Sequence, residues 1–273
     1  MSARVPSEST FQVGASTGRA IATWIVTLPK TAVLAIVALS PLFAWNFLSG
    51  AYADDDPVVR GPMLQLADKL LEALLGSVLS GMVIHVAFKR LMREPGSIGV
   101  AIGAGFSRAV PLIGAGLVQG AITLLPIGAM LAVTLLGDDT DLLSAPNPLL
   151  GLVGIVAVVM AAIVTAMFAA TAGSVVIESK GPIDALKRSL ELTKGFRFKI
   201  FVCSILVGII TFVVAMVTAM VGAVAFSGSA ATIGIIAAVV ATPLSATLSA
   251  VVYHDLRLTK EGVDVNVLMK VFA

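Results

Sequence analysis

The stretch Ile200–Phe226 reads IFVCSILVGIITFVVAMVTAMVGAVAF, 27 residues without one Asp, Glu, Lys or Arg. A helix needs about 20 mainly apolar residues to cross the hydrocarbon core of a bilayer, so this run decides the fold. Working outward from it, similar stretches fall at Ala32–Leu48, Leu70–Phe88, Val110–Leu136, Pro148–Ile177 and Ala230–Tyr253. Composition agrees. The chain is 58% apolar and 12% charged, whereas soluble domains run at about 45–50% and 25%. The expected fold is all-α, a polytopic membrane protein with six transmembrane helices. It forms a single membrane domain over residues 1–273, because its loops are too short to fold alone.

Lys and Arg set the orientation. If the N-terminus is cytoplasmic, sixteen of the 18 basic residues fall on the cytoplasmic side, and only Arg60 and Lys69 fall outside. The outer loops instead hold Asp54, Asp55, Asp56, Asp138, Asp139 and Asp141. A missed span would scramble this partition. The expectation is a multi-pass membrane protein with both termini cytoplasmic. The first apolar run reads as a retained span rather than a cleaved signal. Cys203 has no partner for an intrachain disulfide, and a buried thiol behaves as a small hydrophobe.

The segments before spans one, three and five each carry a helical apolar stripe. In the first it is Thr17, Ile21, Trp24, Ile25 and Leu28; in the second Ile98, Ala101, Ile102, Gly105, Phe106 and Ala109; in the third Ile183, Leu186, Leu190 and Thr193. Opposite the third stripe lie Asp184, Lys187, Arg188, Glu191 and Lys194. These segments predict cytoplasmic interfacial amphipathic helices, the third opened by Gly181-Pro182. They recur roughly every 85 residues, and the exits from spans two, four and six rhyme as Glu94-Pro-Gly96, Glu178-Ser-Lys-Gly181 and Glu261-Gly262. That predicts three repeats, 11–92, 96–177 and 181–262, each a surface helix followed by a transmembrane hairpin. Chance recurrence of generic apolar helices gives the same rhyme, so both readings stand. Pro41, Pro111, Pro126 and Pro243 fall within the spans, where neighbouring helices can satisfy the freed carbonyls. Gly116 and Gly120 form a GxxxG that favours close packing, and Ser227-Gly228-Ser229 makes an outer turn.

Ionisable groups deep in a bilayer flag transport or chemistry, and here they are nearly absent. No catalytic residue, metal site or cofactor is predicted. His85 and His254 sit near span ends, and Asp138–Asp141 lacks the other ligands of a calcium loop. Asn46 and Gln119 are the polar residues that a pathway between the hairpins would use; interhelical hydrogen bonding is the plainer role for Gln119. The richest segment is Lys180–Lys199. Lys187, Arg188, Lys194, Arg197 and Lys199, interleaved with Phe196, Phe198 and Phe201, form a candidate lipid- or partner-binding surface. The same charges also serve plain positive-inside anchoring. Tyr253, Asp255 and Arg257 form a structural cytoplasmic motif at the end of span six, able to tie that helix to a neighbouring loop.

Two passages carry a family likeness. One is Gly181-Pro-Ile-Asp-Ala-Leu-Lys-Arg-Ser-Leu-Glu-Leu-Thr-Lys-Gly195 before an apolar span; the other is Tyr253-His-Asp-Leu-Arg257 before Lys260-Glu-Gly262. The chain resembles an uncharacterised family of six-helix bacterial and archaeal membrane proteins, similar to the membrane domain of glycerophosphoryl diester phosphodiesterases. His254 replaces a commoner aromatic. The resemblance implies six helices and a scaffold or accessory role, without the separate catalytic barrel. The leading expectation is a non-enzymatic integral membrane protein that binds lipid, anionic lipid in particular, or a protein partner or second copy, with no nucleic acid. The alternative is a transporter or channel for a small solute.

Overall fold

The computed structural model describes residues 11–48, 62–136, 148–225 and 230–261. The outer aspartates and the Ser227–Ser229 turn lie outside these ranges. The described residues are helical and turn, with no strand. In chain order the helices are α1 (Val13–Leu48), α2 (Pro62–Leu91), α3 (Ile98–Ser107), α4 (Ala109–Leu136), α5 (Pro148–Met167), α6 (Thr171–Ile177), α7 (Pro182–Thr193), α8 (Arg197–Ala225) and α9 (Ala230–Glu261). Among the described residues, six apolar stretches are long enough to cross a membrane: Val13–Trp45, Leu70–Leu91, Ala109–Pro126, Gly151–Ile177, Arg197–Gly222 and Ala237–Glu261. The protein is an all-α, multi-pass membrane bundle.

Neighbouring helices follow a cyclic order. Hairpins form from α1 and α2, α4 and α5, and α8 and α9. The second arm of each hairpin also packs on the first arm of the next: α2 on α4, α5 on α8, and α9 on α1. α2, α6 and α9 touch one another and make the interior. Burial follows this plan. Of the apolar window in α9, 61% is buried, against 17% in α8 and 11% in α4. Ile209, Phe212, Met216, Met220 and Val224 of α8 are exposed, as are Leu152, Ile155, Val156 and Val158 of α5. Apolar faces this extensive fit lipid rather than water as their solvent.

α3 packs on α2, and α7 packs on α6 and α5. The expected separate helix before span one does not exist as such. No glycine pair or cap interrupts the chain, Pro29 is accommodated inside the helix, and α1 runs unbroken for 36 residues. At 1.5 Å per residue it is about 54 Å long, well beyond the hydrocarbon core of about 30 Å. Its first turns therefore extend past the span. Their buried face is Ser16, Thr17, Ala20, Thr23, Trp24, Thr27 and Thr31, while Ile25 is exposed. Thr27 and Thr31 donate to carbonyls four residues back, Thr23 O at 2.8 Å and Thr27 O at 3.2 Å. The small side chains of this face let α1 lie close along α9.

Two glycines permit the tightest approaches. A Cβ on Gly105 would lie 2.4 Å from Met82 Cγ and 2.9 Å from the Val78 carbonyl oxygen, so α3 sits directly on the α2 backbone. A Cβ on Gly173 would lie 2.5 Å from Tyr253 Cγ, so α6 accepts the tyrosine ring against its backbone.

Candidate functional site

Span four is broken. α5 stops at Met167, a three-residue turn follows, and α6 begins at Thr171. A break at this depth frees backbone groups that need partners. α7 supplies them. Ser189 Oγ donates to Met167 O at 3.0 Å and accepts from the Ala170 N–H at 3.2 Å, and Thr193 Oγ1 donates to Met167 O at 3.1 Å. This reorients α7. Its buried face is Ala185, Leu186, Ser189, Leu192 and Thr193, whereas Ile183 is exposed. The helix docks on the broken span through two hydroxyls, with a buried face rotated from the expected Ile183–Leu190 stripe.

Behind α7, α6 ends at Ile177 and the chain turns through Ser179 at φ 57°. The turn places Glu178 among residues from α7, from α9 and from the turn itself. Tyr253 Oη donates to Glu178 Oε1 at 2.6 Å, and Arg188 Nε donates to the same oxygen at 3.2 Å. Lys180 Nζ is 3.0 Å from Glu178 Oε2. Arg188 also pairs with Glu261, whose other oxygen accepts from Arg257 Nε at 3.0 Å. Arg257 stacks over the Tyr253 ring at 5.8 Å, and Lys260 donates to the Glu191 carbonyl near the end of α7. Two carboxylates and three cations thus bind α6, α7 and α9 into one end of the bundle. Burial alone would push the Glu178 carboxyl up; the Tyr253 hydroxyl, Lys180 and Arg188 outweigh it and hold its pKa below the ordinary value. For Arg188, burial is outweighed by Glu261 and Glu178, which raise its pKa.

Asp255 works on the opposite side of α9, since residues two apart on a helix do not face each other. Its side chain is 4% exposed. Asp255 Oδ2 accepts from Ser16 Oγ at 2.6 Å and from Arg19 Nη2 at 2.7 Å, and His254 Nδ1 lies 3.2 Å from Oδ1. The Tyr253–Asp255–Arg257 motif therefore ties α9 in two directions, to α1 through Asp255 and to α6 and α7 through Tyr253 and Arg257.

Cross-links from Lys30 to Gly96 O (2.8 Å), from Arg108 to Ser179 Oγ (2.5 Å) and from Lys199 to Phe11 O (3.2 Å) put the remaining basic segments at this same end. It is the basic end of the molecule. The candidate binding surface divides there. Arg188 is consumed by the ion-pair network, and Arg197 Nε is buried. Lys187, Lys194 and Lys199 stay exposed, as does Phe198, the chain neighbour of Lys199, at 76%. Gln119 is half-buried in α4, while Asn46 lies in the last turn of α1 with its side chain outside the described residues. Among the described residues, no three His, Cys, Asp or Glu side chains converge as metal ligands.

Two clefts open beside α1. One, of about 280 Å³, is lined by Phe11, Gln12, Ala15, Arg19, Asp255, Leu258 and Thr259. The other, of about 480 Å³, is lined by Ala22, Thr23, Val26, Arg90, Leu91 and Arg93. Comparison with protein-family models, with curated proteins and with solved structures returns no match. The site thus rests on its own geometry, and that geometry defines a multi-pass membrane bundle locked at one end by ion pairs.

Proposed function

We propose that this protein is a non-enzymatic membrane scaffold of a bacterial inner membrane, with its basic end in the cytoplasm, where it holds anionic lipid or a partner. The single observation that supports this most is the division of labour among the basic residues. The network centred on Glu178 and Glu261 neutralises the inner cations and fastens the helices, while Lys187, Lys194 and Lys199 stand outside its ion pairs and are exposed, as is Phe198. Packed helices with an exposed basic rim suit surface binding to anionic head groups. The likeness of Gly181–Gly195 and Tyr253–Gly262 to membrane domains of glycerophosphoryl diester phosphodiesterases supports the same accessory role. The cyclic packing order supports a further reading, that the chain is three copies of one surface helix plus hairpin.

The test uses spin-labelled phosphatidylglycerol and phosphatidylcholine in reconstituted membranes. The wild-type protein should immobilise the anionic lipid preferentially, and Lys187→Gln/Lys194→Gln/Lys199→Gln should lose most of that preference in low salt. Equal preference in the variant would reject the reading. A second reading, a transporter or channel for a small solute, draws on the break at Phe168–Ala170, because interrupted helices are a device of transporters. Solute flux into proteoliposomes that Ser189→Ala/Thr193→Val abolishes would favour it.

A further inference from the structure

The larger cleft lies between α1 and the end of α2. Ala22, Val26 and Leu91 give it an apolar wall, and Arg90 and Arg93 give it two guanidinium groups. Both arginines are exposed, and among the described residues neither makes an ion pair or a side-chain hydrogen bond. That sets them apart from their neighbours. Lys89 is paired with Glu94 at 2.5 Å, which also removes the nearest carboxylate in sequence from competition. Lys30 is engaged with Gly96 O, and Arg108 with Ser179. A tight backbone turn sets the positions of the two arginines. Arg93 sits at φ 59°, a left-handed conformation uncommon for a side chain of this size, and its N–H closes on Arg90 O at 3.0 Å.

Depth is set by the spans. The apolar window of α2 closes at Leu91, so Arg90 and Arg93 stand where it meets the head-group layer. On the α1 wall Val26 is 54% exposed and its chain neighbour Ile25 56%, so an apolar surface open to the outside borders the two charges. Thr23, itself 8% exposed, also lines the cleft, and its hydroxyl makes no side-chain hydrogen bond among the described residues. The cleft thus joins two unpaired cations, a hydroxyl and an apolar wall, in a volume of about 480 Å³ within the usual range of ligand sites. An anion with a hydrocarbon tail satisfies all three. A guanidinium fork matches a phosphate in geometry as well as charge.

We propose that the cleft between α1 and the end of α2 is a binding site for the phosphate head group of an anionic phospholipid, with its acyl chains along Val26 and Ile25. This site is separate from the Lys187–Lys199 rim and stands or falls independently of it.

The experiment is native mass spectrometry of the full chain in detergent, titrated with phosphatidylglycerol. Basic residues at a membrane surface each change affinity for anionic lipid by about five-fold. The variant Arg90→Gln/Arg93→Gln should therefore bind the tightest phosphatidylglycerol roughly 25-fold more weakly than wild type. The variant Val26→Trp keeps both charges but fills the cleft, and it should lose the same lipid. Lys187→Gln/Lys194→Gln/Lys199→Gln should keep it. Phosphatidylcholine should bind no tighter to wild type than to Arg90→Gln/Arg93→Gln, and inorganic phosphate should not displace the lipid. Unchanged affinity in either cleft variant overturns the proposal. Displacement by millimolar phosphate overturns the lipid as occupant and makes the cleft a site for the free anion.

Discussion

Glu178→Gln tests whether the ion-pair network holds the bundle together. The carboxylate is 14% exposed and accepts from Tyr253 and Arg188 on one oxygen while Lys180 neutralises the other. An amide of the same size keeps an acceptor for Tyr253 but removes the charge facing two cations. Exposed pairs contribute about 0–1 kcal/mol, and breaking a buried one costs about 3–5 kcal/mol. Glu178 is nearer the buried limit, yet Arg188 keeps Glu261 as a partner. The expected loss is about 2 kcal/mol, or ~4–8 °C in the melting temperature for a domain of this size. Thermal unfolding in mild detergent, followed by the accessibility of Cys203, reads it directly, because that thiol is buried in the core. Tyr253→Phe should cost about 1 kcal/mol. The double variant should fall somewhat short of the sum, since the bond from Tyr253 to a neutral amide is weaker than the one to the carboxylate. An unchanged melting temperature in Glu178→Gln, or strict additivity with Tyr253→Phe, would refute the network as a fastening.

Three further outcomes follow from the same geometry. Ser189→Ala strips the Ala170 N–H of its acceptor and should destabilise by about 1–3 kcal/mol, and Ser189→Ala/Thr193→Val, which also bares the Met167 carbonyl, should cost more; protease sensitivity near Phe168 would report it. Gly173→Ala forces a methyl to within 2.5 Å of Tyr253 Cγ and should cost about 1–3 kcal/mol, whereas Gly81→Ala meets the flexible Leu112 Cδ1 first, at 2.8 Å, and should cost less; paired melting curves decide. The folded-state pKa of Glu178 is depressed, so its contribution is complete above its ordinary value of 4.5 and is lost as pH falls below that, through the lower folded pKa. Stability measured from pH 7 to pH 3 should drop in wild type, and Glu178→Gln should show a shallower acid limb.

Much of this fold is legible in residues alone, because the bilayer imposes a length on apolar runs and a side on charges. The apolar runs place spans two, four and five to within about four residues, at Leu70–Leu91, Gly151–Ile177 and Arg197–Gly222, whereas span three closes at Pro126 rather than Leu136 and span six runs Ala237–Glu261 rather than Ala230–Tyr253. The tethering role of Tyr253, Asp255 and Arg257 was readable from their place at a span's end. Their partners were not. Ser16 and Arg19 lie 239 and 236 residues from Asp255, and Arg188 lies 73 from Glu261, distances at which no local pattern speaks. Arg188 looked like one more surface cation on the polar face of α7. The break in span four was hidden for another reason. Ala166–Thr171 contains neither proline nor glycine, so the interruption follows from tertiary contact with Ser189 and Thr193 rather than from a local breaker. The cleft at Arg90 and Arg93 was equally silent, since its second wall comes from α1.

Residue-by-residue labelling tests the central claim most directly. In a Cys203→Ala background, single cysteines at Arg93, Lys187 and Lys194 should react with a membrane-impermeant maleimide only from the cytoplasmic side. Cysteines at Met63 and Asp139 should react only from the opposite side. Labelling of Met63→Cys and Lys187→Cys from the same compartment would contradict a six-span bundle with one basic end.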